Sequence, residues 1–444
     1  MHRLFTPRLP VLTMALAVAG FGAAVPASAQ SLQDLYTAAR GYDASYQSAK
    51  SLFEANLAKA EQAKAFLLPS ANFALGASRS NQEVLPNPDR SYGAQTATIS
   101  ASQPLYRPVN KANYDQGMKS VEAAKAQLQS AEQDLIVRVS QAYFDVLAST
   151  DSLTFVKAQK AAVAEQLASA KRNFEVGTST ITDTREAQAR FDLVVAQELA
   201  AENDLRVKTI ALNQLVGMSN ASPKPLSAPV VLAPLEPANP EAWVQQADAQ
   251  HPALTQLKVA LDVAQLETTK AEAGHKPTLD LTGSYSAVNN NGTSTAVADT
   301  RVNVATVGLS FNLPLFAGFA TQNRIKETLA LEDKARTDLE ASRRTIAQAT
   351  RTAFFGVQSG QAQVKALEAA EASSQSALEA NKLGYQVGVR INIDVLNSQS
   401  QLFSTKASLS KARYDVLVGG LKLKQAAGTL KADDLAPINS QLVP

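Results

Sequence analysis

Three histidines and no cysteine leave this 444-residue sequence few groups able to do chemistry. Without cysteine there are no thiolate nucleophiles, no disulfides and no thiolate zinc sites, and His2, His251 and His275 are too few for a His-rich zinc site. His251 and His275 stand close to Pro252 and Pro277, at segment boundaries, which reads as a structural placement. Asp433 and Asp434 form a carboxylate pair, but in a polar C-terminal stretch where solvation is the plain reading. No glycine-rich phosphate loop opens a helix, and no nucleophile elbow is present. The residues point away from an enzyme, and no metal or cofactor is expected.

With catalysis set aside, the argument turns to compartment and architecture. Arg3 and Arg8 precede an apolar run at 11–25, and Ala27, Ser28 and Ala29 supply the small residues of a cleavage site. The run falls short of the roughly 20 residues a spanning helix needs, so a signal peptide at 1–29 is expected ahead of a membrane anchor, with Gln30 starting the mature chain. No cysteine follows the cleavage site to carry an N-terminal lipid. Beyond this leader there is no long uncharged apolar run, which argues against a helical membrane protein. Lys plus Arg number 42 against 40 Asp plus Glu, so charge gives no reason to expect nucleic acid as a partner.

The strongest internal signal is a duplication. Asn173, Phe174, Glu175, Val176 and Gly177 align with Gly384, Tyr385, Gln386, Val387 and Gly388 at an offset of 211 (388 minus 177). The same register matches Ile181 with Asn392, Asp183 with Asp394, Gln188 with Gln399 and Gly217 with Gly428. Upstream, Ala142, Tyr143 and Phe144 match Ala353, Phe354 and Phe355, and Pro104, Leu105 and Tyr106 match Pro314, Leu315 and Phe316 one residue out of step. Between the halves, Pro223, Pro225, Pro229, Pro234, Pro237 and Pro240 mark 222–240 as an extended linker.

Each half carries the same elements in the same order. The stretch 109–176 has no proline, a single glycine at Gly117 and strong helix formers throughout, enough at 1.5 Å per residue to reach roughly 100 Å. Leu128, Ala131, Leu135, Val139, Ala142 and Val146 step by three or four along it, the seam of a coiled-coil-like helix. Gly177 then turns the chain into a second helix at 183–216, closing a long hairpin. The second half repeats this at 321–387 and 393–418, and shorter helices are expected at 32–66 and 241–273.

Ahead of each hairpin the period changes from 3.6 to two. Phe73, Leu75 and Ala77 alternate with polar or small residues, as do Ala97, Ile99 and Ala101, then Leu279, Leu281, Tyr285 and Ala287, then Ala305, Val307, Leu309, Phe311 and Leu313. The polar connections 80–94 and 289–301 read as external hairpin loops. Four such strands have the length of transmembrane β-strands, yet a spanning barrel needs about eight or more. If they span a membrane, chains must pool them: two would supply eight, three twelve. A soluble sandwich or surface hairpins is the competing reading at this point.

These residues resemble the TolC family of outer-membrane efflux and secretion channels over nearly the whole mature chain. The resemblance is carried by Val176 and Gly177 with Ile181, Thr182, Asp183, Ala187 and Gln188 in the first half. In the second it is carried by Gly384, Tyr385, Val387 and Gly388, with Arg390, Asp394, Val395, Leu396, Ala412, Arg413, Tyr414 and Leu417, and by Pro277, Leu279, Leu281 and Leu309 to Pro314. It implies a mostly α chain with a small transmembrane β-barrel portion and two structural repeats: a homotrimer, with a twelve-stranded barrel in outer-membrane lipid continued by a twelve-helix periplasmic tunnel. The implied division is a signal peptide at 1–29, a first repeat at 30–221, a proline-rich equatorial linker at 222–240, a second repeat at 241–430 and a tail at 431–444. A periplasmic adaptor protein and an inner-membrane transporter of the ABC, RND or MFS type are the implied partners.

Residue roles follow from the same resemblance. Gly177 and Gly388 would stand at hairpin tips where the adaptor docks, and Thr182, Asp183, Tyr385 and Arg390 would hold the periplasmic entrance shut. Asp394 would line the entrance constriction, where three copies repel one another and attract cations. The family often has a second acid one turn along. This chain has Asn397, which puts a doubled acidic ring in doubt. The lack of a lipid-bearing cysteine fits secretion-type members better than lipidated efflux members. An extracytoplasmic coiled-coil scaffold or adaptor is the alternative; it would account for the helices and the repeat but leave the four alternating segments without a purpose.

Overall fold

The computed structural model describes residues 29–227 and 229–443. The expected leader, but for its last residue, lies outside the described residues. The chain runs through α1 (Leu32–Tyr42), α2 (Ala44–Ala65), β1 (Ser70–Val84), β2 (Asn87–Tyr106), α3 (Pro108–Glu175) and α4 (Ile181–Val216). A linker follows, then α5 (Pro240–Gln250), α6 (Pro252–Glu272), β3 (Thr278–Asn291), β4 (Thr300–Asn312), α7 (Ala320–Gln386), α8 (Asn392–Ala426) and the short α9 (Ala436–Asn439).

The four strands form one antiparallel sheet in the order β1-β2-β3-β4. Each strand joins a helix at one end, so the sheet order sets the helix order. On the sheet side α2 packs on α3, α3 on α6 and α6 on α7. Toward the other end α3 packs on α4 and α8, and α8 on α7. The result is a single curtain of long helices continuing a single sheet.

The apolar core lies midway along the helices. Leu135, Ile136, Tyr143 and Phe144 of α3 meet Leu32, Leu35 and Tyr36 of α1, Leu212 of α4, Val418 and Leu421 of α8, and Leu435 and Ile438 near the C-terminus. Phe144 stacks on Tyr414 with ring centroids 5.5 Å apart. Trp243, Phe354, Val357 and Leu409 build the corresponding cluster of the second half.

Several expectations change in detail. The helix expected at 32–66 is two, because Asp43 leaves the helical region (ψ 118) and caps α2, accepting from Tyr46 N at 2.8 Å. The Arg138 guanidinium bonds both Asp43 carboxylate oxygens, at 2.9 and 3.0 Å, and holds that carboxyl below the usual carboxylate range. The helix expected at 241–273 also breaks, since the residue before Pro252 is crowded out of the α region. The strands run well beyond the alternating segments, from 13 to 20 residues, where a transmembrane β-strand needs about ten. Most of 80–94 is strand rather than loop, pairing Ser80 with Tyr92 and Gln82 with Arg90, because backbone pairing continues where side-chain alternation fades. Past Val418, α8 continues through Gly419 and Gly420, since packing outweighs their low helix propensity. The C-terminal stretch is packed rather than solvated: Asp434 accepts from Lys424 at 2.7 Å, while Asp433 is exposed.

Candidate functional site

The register of the sheet sorts its side chains onto two faces. Phe73, Ile99, Tyr285 and Ala305 pair across the four strands in one row, and Leu281 with Leu309 and Leu279 with Phe311 lie on the same face. Asn72, Ser100, Ser284 and Thr306 pair across the other, where Thr98 Oγ1 and Ser286 Oγ share a hydrogen bond of 2.7 Å. The apolar face is bare: Val307, Leu309 and Phe311 are 82%, 66% and 65% exposed. Two-faced strands are what a barrel wall with lipid outside and water inside requires. The outer edges of β1 and β4 are also unpaired among the described residues. In lipid each unpaired backbone group costs several kcal/mol, so this sheet is a fragment of something closed.

A charged junction joins sheet to helices. Arg107, between β2 and α3, donates from Nε to Asp280 Oδ1 at 2.7 Å and from Nη2 to Asp280 Oδ2 at 2.6 Å. The pair ties the start of α3 to β3 on the polar side. Below it, Glu267 of α6 accepts from Gln116 of α3 at 2.9 Å and from Arg324 of α7 at 2.6 Å. Chiefly through the Gln116 bond, with help from Arg324 and Lys270, its carboxyl is held down to about 2. At the equator, burial and the neighbouring Asp151 push the Tyr414 hydroxyl above the usual phenol range.

At the opposite end, both hairpins turn with the same geometry. Gly177 and Gly388 each have φ +79, the left-handed region that ends a helix. Thr178 and Ser179 donate to Asn173 O, and Val389 and Arg390 donate to Gly384 O, so the repeat of 211 (384 minus 173) extends to the hydrogen bonds. Both glycines are exposed at the tips.

The expected entrance residues separate here. Asp183 does not reach the second hairpin: its carboxylate accepts from Thr180 N and Oγ1 at 2.9 and 2.8 Å, a capping box at the start of α4. Thr182 is exposed on the same turn. Arg390, in the turn before α8, reaches Asp394 in the first turn of that helix at 3.8 Å and lies over Gly384, where any Cβ would meet Arg390 Cγ at 2.7 Å. Of the four, Tyr385 alone joins the two hairpins within the chain, accepting from Asn173 Nδ2 at 3.2 Å.

Two further links between the hairpins went unread in the sequence. Gln166 of α3 donates to Asn392 Oδ1 of α8, and Asn392 is 1% exposed with its Nδ2 unpaired. Arg190 Nη2 of α4 donates to Asn397 Oδ1 of α8 at 2.7 Å. The signal for Asn392 lay in the repeat, where an asparagine stands against Ile181. For Arg190, nothing in the sequence distinguished it from other exposed helix charges. The links border a small core of Val163, Leu167, Ala170, Ala187, Val194 and Leu396 drawn from α3, α4 and α8.

Residues 35–218 and 243–429, most of both halves, match the family described as outer membrane efflux protein. The chain belongs to that family. It is 33% identical over 415 residues to the outer membrane protein TolC of Vibrio cholerae, covering 93% of this chain and 94% of that one. It is 31% identical to the alkaline protease secretion protein AprF of Pseudomonas aeruginosa, over 94% and 88% of the two chains. In fold it resembles the outer membrane protein VceC of Vibrio cholerae, with a TM-score of 0.76 at 19% identity over 89% of this chain and 96% of that one. The protein is thus an outer-membrane channel component for efflux or secretion, reaching into the periplasm, in a family of channels rather than enzymes. Among the described residues no helix is long and apolar enough to cross a membrane.

Proposed function

We propose that three copies of this chain close their sheets into a twelve-stranded barrel and their helices into a twelve-helix tunnel that passes cargo from an inner-membrane transporter to the exterior. The observation that carries this is the four-stranded sheet with one bare apolar face and two unpaired edges. Two copies would pool eight strands, but the family likeness favours three. The first repeat, 30–221, and the second, 241–430, each supply a hairpin of the wall and a hairpin of the tunnel, with 222–240 and 431–444 as the equatorial belt. Mass measurement of the purified, folded protein in detergent should return a particle of three subunits; a lone subunit at native concentrations refutes the reading.

The tips around Gly177 and Gly388 are the docking points for a periplasmic adaptor protein, whose partner in turn is a transporter of the ABC, RND or MFS type. Val176, Val387 and Val389 are exposed there, an apolar surface suited to a partner hairpin. Thr182, Asp183, Tyr385 and Arg390 bias the entrance closed, and Asp394 and Asn397 line its constriction. Asp183 and Arg390 contribute by shaping the two turns, while Tyr385 holds the hairpins to each other. Adaptor docking then offsets weak links in favour of an open state. Changing Tyr385→Phe together with Arg390→Ser should raise single-channel conductance in a planar bilayer, and no rise refutes the entrance assignment. The likeness to the alkaline protease secretion protein AprF makes a secreted polypeptide one class of cargo, beside drugs.

A further inference from the structure

The apolar face of the sheet changes character toward the loop end of the strands. Its rows run from Leu279 with Phe311, through Leu281 with Leu309 and Tyr285 with Ala305, to Ala287 with Asn303, and they carry no charge. The next row holds Ala77, Gln95, Asn289 and Arg301, and the one beyond it Arg79, Gly93 and Asn291. Ten positions separate Phe311 from Arg301 (311 minus 301), which at about 3.4 Å per residue and a tilt of about 40° rise about 26 Å. A lipid-facing barrel band is about 25 Å tall, so Arg301 stands at its outer border and Arg79 one row above. Two adjoining recesses open there on the same face. The inner one, of about 540 Å³, joins Leu75, Ala97 and Ala287 to Gln95, Asn289 and Arg301, its sole charged side chain. The outer one, of about 580 Å³, adds Arg79, Asn291 and Asp299. Both arginines are exposed, and among the described residues neither has an ion-pair partner. Arg79 gives only its Nε, to Ser91 Oγ at 3.1 Å.

We propose that this border is a seat for a phosphorylated glycolipid of the outer leaflet, with acyl chain along Leu75, Ala97 and Ala287, one phosphate on Arg301, a second on Arg79, and the sugar on Gln95 and Asn289. The proposal rests on the reading that the apolar face meets lipid. A guanidinium fork matches phosphate oxygens in pairs, and side-chain amides both donate to and accept from sugar hydroxyls. Positions 79 and 301 lie on the first and last strands of the sheet, about 14 Å apart at 4.7–4.9 Å per strand. One glycerol phosphate does not bridge that gap, whereas a sugar headgroup phosphorylated at both ends does. Net charge does not make the seat: Arg79, Arg90 and Arg301 against Glu83, Asp89 and Asp299 sum to zero at this end. Placement makes it, because Arg301 lies nearest the apolar rows, Asp299 precedes β4, and Glu83 and Asp89 stand further out beside the β1–β2 turn. Arg90 is turned to other work, donating to Ser294 O at 3.3 Å. At the periplasmic border Arg107 is taken by Asp280, so the inner leaflet is offered no such pair.

The test is native mass spectrometry of the purified assembly in detergent, titrated with lipid A (an acylated glucosamine disaccharide with a phosphate at each end), with its monophosphoryl form and with phosphatidylglycerol. Lipid A should bind about tenfold or more tightly than either of the others. Arg79→Gln together with Arg301→Gln should abolish that preference. Equal binding of lipid A and its monophosphoryl form overturns the two-point seat, and phosphatidylglycerol binding as tightly as lipid A means that any anionic lipid serves, which overturns it too. A preference that survives in the double variant places the lipid elsewhere and rejects the role of both arginines. The comparison of the three lipids needs no variant and decides the matter if the double variant fails to assemble. A three-subunit particle without preference among the lipids rejects the seat and keeps the barrel; a lone subunit that takes up no lipid rejects both.

Discussion

Around the equator, Leu135, Ile136, Tyr143 and Phe144 of α3 are buried by α1, α8 and the C-terminal turns of the same chain, whereas on β4 nearly every side chain is exposed. Both regions are rich in apolar residues. The difference is where their partners come from: the equator finds them within the subunit, and the sheet must find them in lipid and in other copies. The division follows from geometry. Helices passing the equator have neighbours on several sides, and α1, α5 and the C-terminal turns pack on them, while the sheet is one layer thick. The subunit's own packing is therefore concentrated at its middle, and its sheet is left open.

The contrast can be broken by changing each region in turn. The largest effect is expected at the equator, where Phe144→Ala should lower subunit stability by about 3–5 kcal/mol through lost burial and the cavity left behind. Denaturant unfolding of the purified protein measures it, and a loss under about 1 kcal/mol would show that the equator is not the self-sufficient core. Next comes Leu309→Arg on the bare face of β4, at a cost of about 2–4 kcal/mol per subunit if the residue lies near the bilayer midplane. Membrane fractionation should show this variant depleted from the outer membrane while its helical circular dichroism is retained. Normal insertion would mean that this face does not meet lipid.

A smaller effect sharpens the boundary between the two regions. Glu267 joins α3, α6 and α7 beneath the sheet, and its folded carboxyl sits at about 2 against 4.5 when unfolded. A depressed carboxyl gives stability that is complete above its unfolded value and is lost as pH falls toward the folded one. The unaltered protein should thus lose at most about 3 kcal/mol between about pH 4.5 and 2 from this group, a figure that allows for its partial exposure. Glu267→Gln should remove that part of the acid sensitivity, read from melting temperature against pH. Least of all, Thr180→Ala at the first hairpin tip should cost about 1 kcal/mol by breaking the capping box with Asp183. Hydrogen exchange should show it as faster opening of the first turn of α4 alone, with the equator unchanged.

Much of the fold was legible because its signals are local and repeated. The helices of each hairpin, the turns at Gly177 and Gly388 and the four alternating strands all follow from periodicity and from glycine placed where a left-handed residue is needed. Breaks such as Asp43 were less visible, since a single aspartate inside an otherwise helical run caps a helix only when Arg138 of α3 is there to hold it. The entrance was read in part. The chain does turn at Gly177 and Gly388, and within it Asp183 and Arg390 contact their own turns, while the links made by Gln166, Asn173 and Arg190 were not read from the sequence.

By itself the sequence determined the duplication, the order of the long helices and the two faces of each strand, because these depend on residues near one another in the chain. Tertiary structure alone decided which polar side chains meet across the hairpins, that the C-terminal turns close the equatorial core, and that Arg190 rests on Asn397 207 positions away. Such contacts depend on the lateral order of packed helices and on the rotation of each about its axis. A change of one residue in three or four turns a side chain to another face, and composition and spacing along one helix carry no record of what the neighbouring helix presents.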